Sequence, residues 1–359
     1  MNHIEKGVFA SLIIMFSLEF SATTSGQAIL LKQSSDNGIY QSGQSARITL
    51  VLQKIESDSV TVAILRDFTE WQTRSIVNTG SDTLELFSEV LSGPATYIFE
   101  ARVNDQFASI GLIVDPEKYT PGTKRPGDFN SYWKREKRRL KASLRSTVEE
   151  PLPVIDSGYL CFNVELSSTA PEPARGYFAK PVSANAKSLP IVVYFHAAGV
   201  SGDWCRSEPG IALRYAKMGK GALAFDLNAH GMLNGQPDEY YTSLENGKLK
   251  NYAQQGLEDR NNIYFRGMYL RLLSTLDFLT SQPEWDGKRI LVIGESQGGG
   301  QALAAAGLDK RVTAVIATVP AMCDWGGSLV GRKGSWPYPF ETENNKEKEV
   351  INMFPPEPP

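Results

Sequence analysis

The stretch LVIGESQGGGQALAAAG, residues 291–307, runs from apolar residues through a glycine-rich turn into an alanine-rich, helix-forming segment. An apolar run that ends in Gly-x-Ser-x-Gly and opens a helix is the pattern of a buried strand turning sharply, with a serine at the apex. The turn explains its glycines. A serine in a strained backbone conformation leaves no room for side chains at 294 and 298, and Gly299 and Gly300 let the helix approach the sheet. Ser296 is therefore read as a nucleophile whose Oγ is exposed at a helix N-terminus, where the Gln297 N–H and the helix dipole favour an oxyanion. Nucleotide-binding readings fail on particular residues: no Gly-Lys-Ser/Thr occurs, and Leu303 stands where the third glycine of GxGxxG belongs.

Outward from this turn, PIVVYF (190–195), GALAFDL (221–227), RILVIG (289–294) and TAVIAT (313–318) are apolar on both faces. Such runs predict a mostly parallel sheet covered by helices. Phe265, Met268, Leu272, Leu276 and Leu279 form a helical stripe between the second and third, giving βαβ connectivity. Two loops then fall on the carboxyl edge of the sheet, where open α/β folds hold ligands. In Phe195-His196-Ala197-Ala198-Gly199, small residues allow the Ala198 N–H to serve as a second oxyanion donor, and His196 shapes the loop or contacts substrate. In Asn228-Ala229-His230-Gly231, His230 is a candidate to orient the loop, to bind substrate or to act as a base.

Upstream, ARITLVLQKI, TVAILRDF, DTLELFSEV, ATYIFEARVND and SIGLIVD alternate with period two between polar turns, which predicts a small Ig-like β-sandwich. The proline- and glycine-broken segment DPEKYTPGTKRPGDF separates this module from the α/β region. Phe129, Trp133, Leu140 and Leu144 then share one face of a helix whose other face is rich in lysine and arginine, a solvated face. The expected organisation is a leader at 1–27, a β-sandwich at 28–118 and an α/β-hydrolase domain at 119–359.

The leader is expected because Lys6 precedes an apolar run from Val8 to Leu18 and small residues come after it, a pattern that directs export to the periplasm or outside. That run is short for a membrane span, so no membrane association is expected once it is removed. A net charge of -3 supplies no field for a phosphate backbone, so nucleic acid is not expected as a partner. The 3 cysteines have neither metal-ligand nor redox spacing and read as small buried hydrophobes.

Segments 125–140 (RPGDFNSYWKREKRRL), 264–290 (YFRGMYLRLLSTLDFLTSQPEWDGKRI) and 294–324 (GESQGGGQALAAAGLDKRVTAVIATVPAMCD) resemble the acetyl xylan esterase and cephalosporin C deacetylase family of α/β-hydrolases. The resemblance spans about 119–340 and does not reach the β module. It implies deacetylation of acetylated carbohydrates or small esters by a Ser-Asp-His triad, with no cofactor and no metal. It also implies Ser296 as nucleophile and Gln297 and Ala198 as oxyanion donors.

One departure matters. In that family the acid and base come after the serine, whereas the 3 histidines of this chain end at His230. Either the acid and base belong to strands absent from this sequence, which is the expectation, or His230 is borrowed as base. Without a base the serine hydroxyl is a poor nucleophile, and weak or absent turnover is expected. The alternative within the enzyme class is a different carboxylesterase or a peptidase on the same fold, and the alternative from another class is a non-catalytic carbohydrate-binding or scaffold protein.

Overall fold

The computed structural model describes residues 28–340 except 56, 144–145 and 168–171; the expected leader at 1–27 and Leu144 of the expected helix face lie outside the described residues. The chain divides into two compact units, one up to Thr120 and one from Pro121.

The described residues of the first unit form two β-sheets followed by a short 3-10 turn, Pro116–Lys118. One sheet joins β1 (Ala28–Gln33), β3 (Ser45–Gln53) and β6 (Thr83–Val90). The other runs in the order β2 (Ile39–Tyr40), β8 (Gln106–Val114), β7 (Ala95–Val103), β4 (Ser59–Arg66), β5 (Thr69–Val77). Alternation puts Ile48 and Leu50 of β3, Val62 and Ile64 of β4 and Phe99 of β7 into one core. The rings of Phe87 and Phe99, from different sheets, lie 5.0 Å apart, so the sheets pack face to face. β5 has no counterpart among the apolar runs of the sequence. Its residues TEWQTRSIV reach no fully buried position, because it is the edge of its sheet.

The second unit is built on a seven-stranded sheet. In spatial order it contains β15 (Ala314–Thr318), β14 (Trp285–Glu295), β12 (Leu189–Phe195), β13 (Leu223–Asn228), β11 (Ala174–Pro181), β10 (Tyr159–Ser167) and β9 (Ser146–Pro151). The four apolar runs are its parallel strands. β11, β10 and β9 add an antiparallel half that the hydrophobic pattern does not announce. β12 has β13 on one side and β14 on the other, so the strand order reverses there and a crevice opens at the carboxyl ends.

Five helices are described: α1 (Phe129–Ser143), α2 (Pro209–Ala216), α3 (Asp238–Asn246), α4 (Tyr264–Thr280) and α5 (Gln297–Leu308). The α4 stripe of Phe265, Met268, Leu272, Leu276 and Leu279 is buried throughout. On α1 one charge turns inward: Glu136 is buried, held by Arg266 of α4 and by Arg139. Among the described residues β15 pairs only with β14, and Ile316 (48%), Val319 (56%) and Leu303 of α5 (44%) remain exposed beside it. All 3 cysteines are free thiols, with Cys161 and Cys205 buried.

Candidate active site

β14 ends at Glu295, α5 begins at Gln297, and Ser296 stands between them with φ 51° and ψ -116°. A non-glycine residue rarely occupies this region, and the cost is of order 1–3 kcal/mol unless surrounding bonds over-determine the turn. They do. Ser296 N–H donates to Thr318 O at 3.0 Å, and Ser296 O accepts from Gly300 N–H at 3.1 Å and from Ala321 N–H at 2.8 Å. The side chain is half-buried, and no hydrogen bond holds its Oγ among the described residues.

The flanking glycines are required by contact. A Cβ on Gly294 would lie 2.1 Å from Gly298 O, and one on Gly298 would lie 2.1 Å from Phe195 O and 2.8 Å from His196 O. The first turn of α5 therefore rests directly on the backbone that leads into the Ala197–Gly199 loop. β12 and β14 are also in parallel register, Phe195 opposite Gly294. Together these bring the Gln297 and Ala198 peptides to the same edge as Ser296. Gln297 opens α5, so its N–H has no intrahelical acceptor. Such an edge, with a serine hydroxyl beside unspent peptide donors, can bind an ester carbonyl and stabilise negative charge on its oxygen.

The structure buries both described histidines, the sequence's candidates for substrate contact, and engages both nitrogens of each ring. His196 Nε2 lies 2.5 Å from Asp226 Oδ1, and its Nδ1 lies 3.0 Å from Trp204 O. Both partners accept only, so both ring nitrogens donate and the ring is an imidazolium. Desolvation opposes that charge, but the field and hydrogen bond of Asp226, with Trp204 O, raise the pKa above the ordinary value. The other Asp226 oxygen accepts from Glu208 N–H at 2.7 Å. This buried ion pair braces the loop that carries Ala198.

His230 is the opposite case. Its Nε2–H donates to Gly199 O at 2.8 Å, while Nδ1 lies 2.7 Å from the Tyr264 hydroxyl, which donates to it. Burial, then the charge of Arg271, pushes its pKa down to about 3, so the ring is neutral. With both nitrogens spent it is not available to take a proton from Ser296 in this arrangement, and through Gly199 O it holds the Ala197–Gly199 loop.

Several supporting residues escape a reading of the sequence alone. Arg271, fully buried on α4, donates through Nε (3.0 Å) and Nη2 (2.8 Å) to Ala229 O and fixes the Asn228–Gly231 turn. Gly231 has φ 68°, and a Cβ there would lie 2.4 Å from Pro173 O. The Tyr252 hydroxyl donates to the Gln297 side-chain Oε1 at 2.6 Å. Asp226 does carry a signal, an acidic residue inside the apolar run GALAFDL. Arg271, Tyr252 and Tyr264 carry none, because their partners are distant in sequence.

Comparison with known proteins agrees with this geometry. The acetyl xylan esterase (AXE1) family profile matches residues 111–342. The acetyl esterase Axe7A of Xylanibacter ruminicola is 34% identical over 249 residues, covering 67% of this chain and 54% of that protein. The chain thus spans about half the length of this curated relative. Among solved structures, an acetyl xylan esterase from Paenibacillus sp. R4 superposes with a TM-score of 0.53 at 26% identity, over 66% of this chain and 76% of that one. Acetyl xylan esterase 1 from Thermoanaerobacterium sp. JW/SL YS485 shares the fold, with a TM-score of 0.52 at 23% identity over 66% and 74% of the two chains. Taken with the strained serine turn and the α/β-hydrolase sheet beneath it, a profile match over most of the second unit establishes that the chain belongs to the acetyl xylan esterase (AXE1) family.

Proposed function

We propose that this protein is an exported serine carboxylesterase that removes acetyl groups from acetylated sugars such as xylan or xylo-oligosaccharides. Ser296 Oγ attacks the acetyl carbonyl carbon, and Gln297 N–H and Ala198 N–H take the developing oxyanion. The sugar oxygen leaves with a proton as the acyl-serine forms, and water then releases acetate. The observation that carries this reading is the φ of 51° at Ser296, held between β14 and α5 with its hydroxyl uncommitted. Strain of this kind clusters at active sites, where it presents a reacting group. The names of the relatives support the acetylated substrate, and the pattern of residues 1–27 supports export.

The Oγ proton needs an acceptor that neither described histidine offers, so turnover is expected to be slow while acylation by activated reagents remains measurable. The same observation favours a second reading, an inert hydrolase frame that binds carbohydrate. A fluorophosphonate probe separates the two: covalent labelling of Ser296, absent in Ser296→Ala, together with faster hydrolysis of p-nitrophenyl acetate by wild type than by Ser296→Ala, is the expected result. Equal hydrolysis by both proteins and no label would overturn the esterase reading.

A further inference from the structure

We propose that Trp204 is a sugar platform, an indole whose open face stacks on the pyranose that carries the acetyl group; this rests on the esterase reading of the site. Trp204 lies in the short turn Asp203–Cys205 and is 65% exposed. An exposed tryptophan is ordinarily free to change rotamer. This one is tied at both ends: its Nε1–H donates to Ala198 O at 3.0 Å, and its own carbonyl accepts from His196 Nδ1–H at 3.0 Å.

The ring is also seated on glycine. A Cβ on Gly202 would come within 2.4 Å of the six-membered ring, and one on Gly199 would lie 3.1 Å from Nε1. One side of the indole therefore rests on backbone, and the rest is presented to solvent in a fixed orientation. Holding a large apolar face open forgoes the gain of burying it, and the ordering cost of a later contact is already met.

The surroundings select the occupant. Asp203, which precedes Trp204 in this turn, keeps a side chain 95% exposed and pairs with Arg206, as does Asp238, 81% exposed, from the start of α3. A purely apolar ligand covering the indole would strip water from these carboxylates without replacing its hydrogen bonds. A pyranose presents C–H groups to the electron-rich ring face and hydroxyl donors to carboxylate acceptors, so one ligand satisfies both. The residue to which the indole is bonded, Ala198, is the proposed oxyanion donor, so a sugar resting on Trp204 carries its acetyl group toward Ser296.

The test is a ligand-observed NMR titration of the full chain with mono-acetylated xylotriose, using wild type, Trp204→Phe and Trp204→Ala. A platform predicts that Trp204→Phe, which keeps a flat face and loses the N–H bond, binds within about threefold of wild type, while Trp204→Ala binds on the order of tenfold more weakly. If Trp204→Phe is as weak as Trp204→Ala, the indole acts only by bracing Ala198, and the platform is overturned. Wild-type binding by Trp204→Ala overturns it as well. Fluorophosphonate labelling of Ser296 in the same preparations keeps the two readings apart: a labelled serine with Trp204-independent binding rejects the platform alone, and an unlabelled serine with Trp204-dependent binding rejects the esterase reading alone.

Discussion

At the scale of single residues, the two described histidines show how environment divides one side chain into two electrostatic roles. His196 is held charged by acceptors on both nitrogens, and His230 is held neutral by burial beside Arg271. In the folded protein at pH 6 to 7, ring nitrogen shifts in NMR should report an imidazolium at 196 and a neutral Nε2–H ring at 230. The stability consequences have opposite signs. Because the folded pKa of His196 is raised, its contribution is complete below about pH 6.5 and is lost as pH rises through the folded value. In urea titrations His196→Gln should therefore lack part of the decline in unfolding free energy that wild type shows on the alkaline side. For His230 the folded pKa is depressed, so its contribution is present above about pH 6.5 and declines as pH falls toward about 3. Ser296 supplies a third residue-level test. Its φ of 51° favours glycine, so Ser296→Gly should be more stable than Ser296→Ala by about 1 kcal/mol in the same titrations.

Among the elements, α5 and the strand that feeds it are legible in the sequence because their constraints are local: an apolar run, a glycine-flanked serine, then alanines. The parallel strands β12, β13, β14 and β15 are legible for the same reason, since strands buried on both faces are continuously apolar. The antiparallel half is not. β10 reads YLCFNVELS, whose polar positions pair with β9 and β11 rather than marking a turn, and that pairing is set by partners far along the chain. The serine turn and the loop after β12 are likewise readable from the sequence, whereas the bonding of both histidines depends on Asp226, Tyr264 and the Gly199 carbonyl, which spacing does not reveal. The join between α5 and the β12 loop gives the prediction at this scale. Gly298→Ala would force a methyl to 2.1 Å from Phe195 O, and backbone has no rotamer by which to yield. It should lower stability by roughly 3 kcal/mol, read by urea titration, and abolish fluorophosphonate labelling of Ser296, because the loop and the helix must part.

For the whole molecule, the β unit and the hydrolase unit each own a core, one centred on Ile48, Val62 and Phe99 and the other on Phe178, Val193, Phe225 and Leu276. Separate cores make separate cooperative transitions the expectation. Residues 28–118 expressed alone should melt sigmoidally, and a broad non-cooperative melt would contradict this. The outer strand β15 has a different consequence. Its far edge meets no further strand among the described residues and, with Ile316 and Val319 in solvent, offers any neighbouring extended chain a ready template. Concentrated preparations are therefore expected to self-associate into sheet-rich species, seen as growing light scattering and thioflavin fluorescence. Ile316→Lys should suppress that polymerisation by setting like charges against each other along every added strand.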